Sequence, residues 1–192
     1  MILPPLQYRR ARDLKEVWEL YELYDGEVLF LAGGTDLLPR LKLRLERPKA
    51  VIDLKEIGEL QEVSEDEKFL RIGSLINLFD LRGDERVKSL FPALLQSLEA
   101  TSCETLQMRG TIGGNLLQDT RCLFYNQSEF WRRAKGFCLK MGGQICNATG
   151  GKECFSNYCS DNAPALVSLS AEVRFLSPQG ERQIPLEKLY TG

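Results

Sequence analysis

Five of the six cysteines in this 192-residue chain lie between Cys122 and Cys159, and the first four follow C-x15-C-x7-C-x7-C. Four thiols in one short segment are enough to hold an iron–sulfur cluster or a zinc ion, and either would dictate the path of the chain around it. The separations are wider than the paired ligands of zinc ribbons and also miss the short ferredoxin spacing, so spacing leaves both open. The N-terminus MILPPLQYRR has no apolar core of signal-peptide type. No apolar run approaches the roughly 20 residues that span a bilayer. The chain is therefore expected in the cytoplasm, where clustered thiols are more often ligands or redox centres than disulfides.

There is no histidine. That removes Ser–His–Asp and Cys–His catalysis, HExxH zinc sites, Cys2His2 fingers and Rieske centres together. A net charge of -2 gives no reason to expect nucleic acid or an anionic membrane as partner. Chemistry must come from thiolates, carboxylates or a bound cofactor.

The length suits one domain, or two small lobes of one. Asp13 and Glu16 form a capping pair ahead of Leu14, Val17, Trp18, Tyr21 and Tyr24, predicting a helix over 14–24 that stops at Gly26. Val28–Ala32 and Ala50–Leu54 read as short buried strands. Leu37–Leu45 is apolar with interleaved Arg and Lys, and Pro39 disfavours a regular helix before it. The charged stretch 55–67 reads as a joint and an exposed hairpin, and Phe69–Gly73 as a strand. Helices are predicted across 75–82 and 84–101, with Pro92 starting the last of them. Residues 118–158 are rich in Gly, Asn and Ser and lack apolar periodicity. A helix over 162–170, a strand at 172–176, a turn at 177–180 and a strand near 182–184 complete the pattern. Residues 186–192 begin another element.

Two glycine loops stand out: Gly33-Gly34-Thr35-Asp36 after a strand, and Thr111-Ile112-Gly113-Gly114-Asn115. Each can present backbone N–H groups to an anion, with glycine permitting close approach and positive φ. Neither matches G-x-G-x-x-G or the P-loop. Either one alone is most simply a turn; together they suggest a nucleotide cradle.

Three segments, Leu31-Ala-Gly-Gly-Thr-Asp-Leu-Leu-Pro39, Arg109-Gly-Thr-Ile-Gly-Gly-Asn-Leu116 and Ser160-Asp-Asn-Ala-Pro-Ala-Leu166, resemble in order the signatures of the FAD subunit of the molybdenum hydroxylase family. That family includes xanthine and carbon monoxide dehydrogenases. The resemblance implies an α/β (α+β) fold, a two-lobed FAD-binding domain of the p-cresol methylhydroxylase/vanillyl-alcohol oxidase type. Lobe one would cover about 1–56 and lobe two about 60–192, with a cysteine-rich insertion at about 118–158 and without the family's small C-terminal domain. It implies that Leu31, Ala32, Gly33, Gly34, Thr35, Asp36 and Leu37 wrap the FAD pyrophosphate together with Thr111, Ile112, Gly113, Gly114 and Asn115. Thr101, Gln118 and Asp161 would also contact the cofactor, Asp161 at the ribityl chain. An insertion at this point resembles the flavin subunit of 4-hydroxybenzoyl-CoA reductase, which implies a [4Fe-4S] cluster on Cys122, Cys138, Cys146 and Cys154.

Around those cysteines stand Arg121, Arg132, Arg133, Lys135, Lys140 and Lys152, set against Asp119, Glu129 and Glu153. The cations would stabilise a negatively charged cluster or simply form a solvated basic face. Cys159 is a substitute ligand candidate, while Cys103 is expected as a buried small hydrophobe. Trp18 and Trp131 read as packing residues, and Arg109 as either a phosphate contact or half of an ion pair.

The expected function is an electron-transfer flavin subunit with no catalytic side chain of its own, relaying electrons between a [4Fe-4S] cluster and FAD. Implied partners are a molybdopterin-containing large subunit, a small [2Fe-2S] subunit and a ferredoxin-like donor or acceptor. The implied reaction is reductive dehydroxylation of 4-hydroxybenzoyl-CoA or a related aromatic thioester. The alternatives are a xanthine or carbon monoxide dehydrogenase-like flavin subunit delivering electrons to NAD or a quinone, and a zinc-braced scaffold that binds no flavin.

Overall fold

A computed structural model describes residues 2–190 of the chain. It begins with a three-stranded parallel sheet ordered β1-β3-β2, built from β1 (Gln7–Arg10), β2 (Val28–Leu31) and β3 (Ala50–Asp53). Helix α1 (Leu14–Leu23) connects the first two strands and α2 (Leu37–Lys42) the next two. Asp13 caps α1 by accepting from the Glu16 N–H at 2.8 Å, and Glu16 returns a bond from the Arg12 N–H. Strand β3 is buried throughout, and successive side chains point to opposite faces. Ile52 packs with Ala11, Val17 and Ile57 on one side; Val51 packs with Leu37 and Leu41 on the other.

Two elements here were not foreseen from the sequence, for physical reasons. Strand β1 carries exposed Gln7, Tyr8, Arg9 and Arg10, an edge strand without apolar alternation and therefore without a sequence signal. Segment 37–42 is a helix despite Pro39. The proline sits in the first turn, where its missing N–H is one that the helix leaves unpaired anyway.

An antiparallel hairpin of β4 (Val63–Glu65) and β5 (Leu70–Ile72) leads into α3 (Leu78–Gly83), α4 (Glu85–Leu90) and α5 (Pro92–Ala100). These helices share a core of Leu78, Leu81, Val87, Leu94, Leu98 and Ile112. Pro92 is at the start of α5, as its fixed φ favours. The short helices α6 (Glu104–Gln107) and α7 (Ile112–Leu116) frame the second glycine loop. After the cysteine segment, α9 (Ala163–Ser168) precedes the hairpin of β6 (Glu172–Ser177) and β7 (Gly180–Pro185). A 3-10 turn covers Leu186–Leu189, and Thr191 and Gly192 lie outside the described residues.

The cysteine segment is not a solvated loop. It contains helix α8 (Glu129–Lys135), capped by Ser128 and ended at Gly136 with φ 90°. Arg132, one of the expected basic-face residues, is instead 1% exposed. Its guanidinium donates to the carbonyls of Leu43 at 3.1 Å, Arg44 at 3.0 Å and Gln127. Burial holds its pKa below the usual arginine value. Tyr125 and Cys138 pack against Leu45 at the same place. The segment is thus bolted to the chain that follows α2. Cys103, expected to be buried, is exposed and precedes α6. No helix among the described residues is long and apolar enough to cross a membrane.

Asp53, at the end of the central strand, is 2% exposed. It accepts from Tyr8 Oη at 2.5 Å, Lys55 Nζ at 2.7 Å and the Lys55 N–H at 3.0 Å. Burial alone would raise its pKa, but the bonds from Lys55 and Tyr8 prevail and hold it below the usual carboxylate range. A depressed carboxyl contributes stability above its unfolded pKa and loses it as pH falls through the folded value. Asp53→Asn should therefore cost about 2 kcal/mol at pH 7, with the gap to wild type narrowing in urea titrations below about pH 4. Replacing Arg132 by Met leaves three carbonyls without their donor and should cost about 3 kcal/mol in thermal unfolding. Limited proteolysis should then cut within 118–158 first; unchanged cleavage would contradict the bolting role.

Candidate functional site

The first glycine loop leaves the carboxyl end of β2, the position where open α/β sheets place their ligand-binding crevices. Gly34 has φ 79°, a conformation that favours glycine. Gly33 is pressed against the second loop so closely that a Cβ there would collide with the carbonyl oxygen of Arg109. Thr35 Oγ1 lies beside Gly110. Among the described residues, the backbone N–H groups of Gly33, Gly34, Thr35 and Asp36 donate to no protein acceptor. Four adjacent free donors form a natural anion cradle.

The second loop differs. Its Ile112 N–H goes to the Ile76 carbonyl at 2.9 Å and its Gly113 N–H to the Ser74 carbonyl at 2.9 Å. Gly114 N–H donates to Thr111 Oγ1 at 3.1 Å and Asn115 N–H to the Thr111 carbonyl at 2.8 Å. Gly113 must be glycine for packing, since a Cβ would strike Ser74. The Asn115 side chain is also engaged. Its Oδ1 accepts from Ser160 Oγ at 2.7 Å and Asn162 Nδ2 at 3.0 Å. Asn162 is fully buried and its Nδ2 also reaches Thr101 Oγ1 at 3.3 Å. The loop's polar groups hold the site together, with Asn162 as a hub that sequence reasoning overlooked.

Between the two loops lies an open cavity of about 200 Å³. Of the expected cofactor contacts, Thr35, Asp36, Thr101, Thr111, Gly114, Asn115, Gln118 and Asp161 line it. Leu31 and Leu37 do not; both side chains serve the core under the sheet. Ile112 likewise belongs to the helical core. Ala32, Gly33, Gly34 and Gly113 act through backbone placement rather than as lining. Leu78, Ser102, Leu106, Gln107, Gly110 and Arg121 were not foreseen as lining residues. Arg109 meets Gly33 through its backbone only and does not line the cavity.

Arg121 had been grouped with the cysteine segment, but it turns to this cavity and pairs with Asp36 at 2.6 Å. It is the one cation in the lining among the described residues. Its backbone N–H donates to Cys159 Sγ at 3.1 Å. Gln118 Nε2 donates to the Cys159 carbonyl, so the segment returns beside its own start.

Cys122, Cys138, Cys146 and Cys154 all line a second, much smaller cavity of about 20 Å³, with Tyr125 and Lys140. Cys159 does not line it. All six cysteines are free thiols. Hydrogen bonds from Thr149 and Ser156 lower the pKa values of Cys146 and Cys154, favouring the thiolate form that ligates metals. Among the described residues, however, no three Cys, Asp or Glu side chains converge closely enough to hold a metal ion. The expected metal centre is therefore not preassembled, as either a zinc site or a cluster. The cysteines share a cavity without converging on one point.

Polar groups join the two cavities. Asp119 accepts from Lys140 Nζ at 2.7 Å and Tyr125 Oη at 2.8 Å, and its N–H donates to Asp36 Oδ2 at 3.2 Å. Arg40 lies between the two carboxylates, 3.5 Å from Asp36 and 3.6 Å from Asp119. Burial and the Asp119 bond push the Tyr125 phenol above its usual range.

Residues 4–192 match the family described as the FAD-binding domain in molybdopterin dehydrogenase. The chain is 34% identical over 168 residues to the aldehyde oxidoreductase FAD-binding subunit PaoB of Escherichia coli, covering 84% of this chain and 53% of that one. It is 32% identical over 173 residues to the nicotinate dehydrogenase FAD-subunit of Eubacterium barkeri, covering 90% and 46%. Carbon monoxide dehydrogenase from Hydrogenophaga pseudoflava shares the fold at a TM-score of 0.75 and 23% identity, across 100% of this chain and 54% of that chain. Quinoline 2-oxidoreductase from Pseudomonas putida 86 shares it at a TM-score of 0.72 and 24% identity, across 97% and 52%. The chain thus spans about half the length of these relatives. With a free-amide cradle, a cavity between two glycine loops and a family match over nearly its whole length, this chain belongs to the FAD-binding domains of the molybdenum hydroxylase, or molybdopterin dehydrogenase, family.

Proposed function

We propose that this chain is the flavin-holding part of a molybdenum hydroxylase-like oxidoreductase of the xanthine or carbon monoxide dehydrogenase kind, passing electrons onward to NAD or a quinone. The observation that carries the reading is the run of four N–H groups at 33–36 without a protein acceptor among the described residues, beside an open cavity lined by both glycine loops. The relatives are named as dehydrogenases and an aldehyde oxidoreductase, which favours this direction. Reductive dehydroxylation of 4-hydroxybenzoyl-CoA, with a ferredoxin-like donor, is the narrower reading and rests on the cysteine segment alone. A molybdopterin large subunit and a small [2Fe-2S] subunit would complete the enzyme in a cytoplasmic complex.

The residues present fit FAD. The free amides at 33–36 would hold the pyrophosphate, with Arg121 able to leave Asp36 and add a positive charge. Thr101, Gln118 and Asp161 would orient the remainder of the molecule. A two-lobed division at about 56–60, of p-cresol methylhydroxylase type, would put these groups on both sides of one cleft. FAD when bound supplies exchange of one or two electrons. No side chain is required as general acid or base; the protein binds, orients and excludes water.

A second reading concerns the cysteine segment. The four thiols on one cavity favour a [4Fe-4S] cluster, because a cubane spreads its ligands over a cage rather than gathering them around one ion. Lys140, beside the cavity, would offset its negative charge. Such a cluster supplies one-electron transfer.

Flavin fluorescence titration should show FAD bound by the wild-type chain, and Gly33→Ala should weaken it at least about tenfold by forcing the two loops apart. A wild-type chain that does not quench flavin would refute the reading. Anaerobic reconstitution should give about four iron and four sulfide per chain. Cys146→Ser should lose them and Cys159→Ser keep them. One equivalent of zinc on a colourless protein would instead establish the zinc brace.

A further inference from the structure

Beyond the free amides of the first loop, one buried side-chain amide on the cavity lining has an oxygen with neither a hydrogen bond nor an ion pair among the described residues. Gln107 is 1% exposed and lines the cavity beside Thr101, Ser102 and Leu106. Its Nε2 donates to the carbonyl of Leu98 at 3.1 Å and of Thr101 at 2.7 Å. Those two contacts determine which way the amide faces, because an amide oxygen turned toward two carbonyl oxygens would be repelled. Oε1 is therefore the free end, and no donor among the described residues satisfies it. Buried acceptors are seldom left unpaired, and an exception in a binding cavity calls for a ligand or water.

Three other polar groups on the lining are occupied. Thr101 Oγ1 donates to the Ser97 carbonyl at 2.6 Å, Thr111 Oγ1 accepts from Gly114, and Asn115 Oδ1 accepts from Ser160 and Asn162. The Gln107 oxygen stands apart from them, held in place by a backbone-anchored amide and shielded from bulk solvent. A fixed, desolvated acceptor of this kind discriminates strongly between ligands that do and do not offer a donor.

We propose that Gln107 contacts the bound dinucleotide directly, its Oε1 accepting a hydrogen bond from an N–H or hydroxyl group of the ligand. The inference rests on the reading of this cavity as the FAD site. Phosphate oxygens carry no donor at neutral pH, so the partner is the imide N–H of the isoalloxazine ring, a sugar or ribityl hydroxyl, or the adenine amine. Gln107 carries no motif signal, lying two residues ahead of the second signature.

The test uses the flavin-free chain labelled with 13C and 15N in its glutamine side chains. The Gln107 resonance is assigned by its disappearance in Gln107→Met. Added FAD should move the Gln107 Cδ and Nε2 signals, and Gln107→Met should raise the FAD dissociation constant about tenfold. A shift lost with N3-methyl-FAD supports the contact and puts the donor on the ring; a shift produced by ADP supports it and puts the donor on the adenylate half. Wild-type protein that binds FAD while the Gln107 signals stay still would overturn the contact, and this measurement does not depend on the variant folding. Wild-type protein that binds no FAD would overturn the site reading itself.

Discussion

The contact of Gly33 with the backbone of Arg109 is the constraint on which the rest depends. It joins the loop leaving the parallel sheet to the loop leaving the helical layer, with no side chain between them. Because the two backbones touch there, the chain on either side diverges and leaves the cavity open. The same contact keeps the amides at 33–36 turned away from protein acceptors. A methyl group at this point would separate the loops and dismantle the cradle, whatever the ligand.

The two loops share a glycine-rich sequence and divide the labour. The first leaves its amides free, while its Gly34 and Asp36 carbonyls and the Asp36 carboxylate are bonded to the protein. The second spends nearly all of its hydrogen-bonding capacity on the protein, on Ser74, Ile76, Ser160 and Asn162. One loop is a receptor and the other its support. Asn162 ties the support to Thr101 at the end of α5, so three distant stretches of chain meet at one buried amide. Buried networks of this kind rigidify a site when every member is satisfied. Within it, only the Gln107 oxygen departs from that condition.

Between the cavities, Asp36, Arg40, Asp119 and Lys140 alternate in sign over a few ångströms. Removing Arg40 would leave the Asp36 and Asp119 carboxylates facing each other, and removing Asp119 would leave Arg40 facing Lys140. This layer, with Arg132 beneath it, makes the cysteine segment part of the fold rather than an appendage. Its cysteines are free thiols, four of them gathered on one cavity, yet not convergent. That combination suits a segment whose final arrangement is completed by what it binds.

Much was legible in the chain alone. The Asp13–Glu16 cap, the apolar runs of β2 and β3, Pro92 and the turn between β6 and β7 each carry a local signal strong enough to survive folding. The glycine loops and the Ser160–Asp161 motif pointed to the right neighbourhood. By itself the sequence determined the order of elements, the loss of all histidine chemistry and the family, because those follow from composition, period and short motifs. Only the tertiary structure decided that β1 is a strand, since an exposed edge has no apolar pattern to read. It alone turned Arg121 toward the cavity, buried Arg132 under three carbonyls and exposed Cys103, because a charge or thiol takes its role from partners dozens of residues away. Leu31, Leu37 and Ile112 left the site for the core on the same ground: a motif names a stretch of chain, while packing chooses which face of each residue meets the ligand.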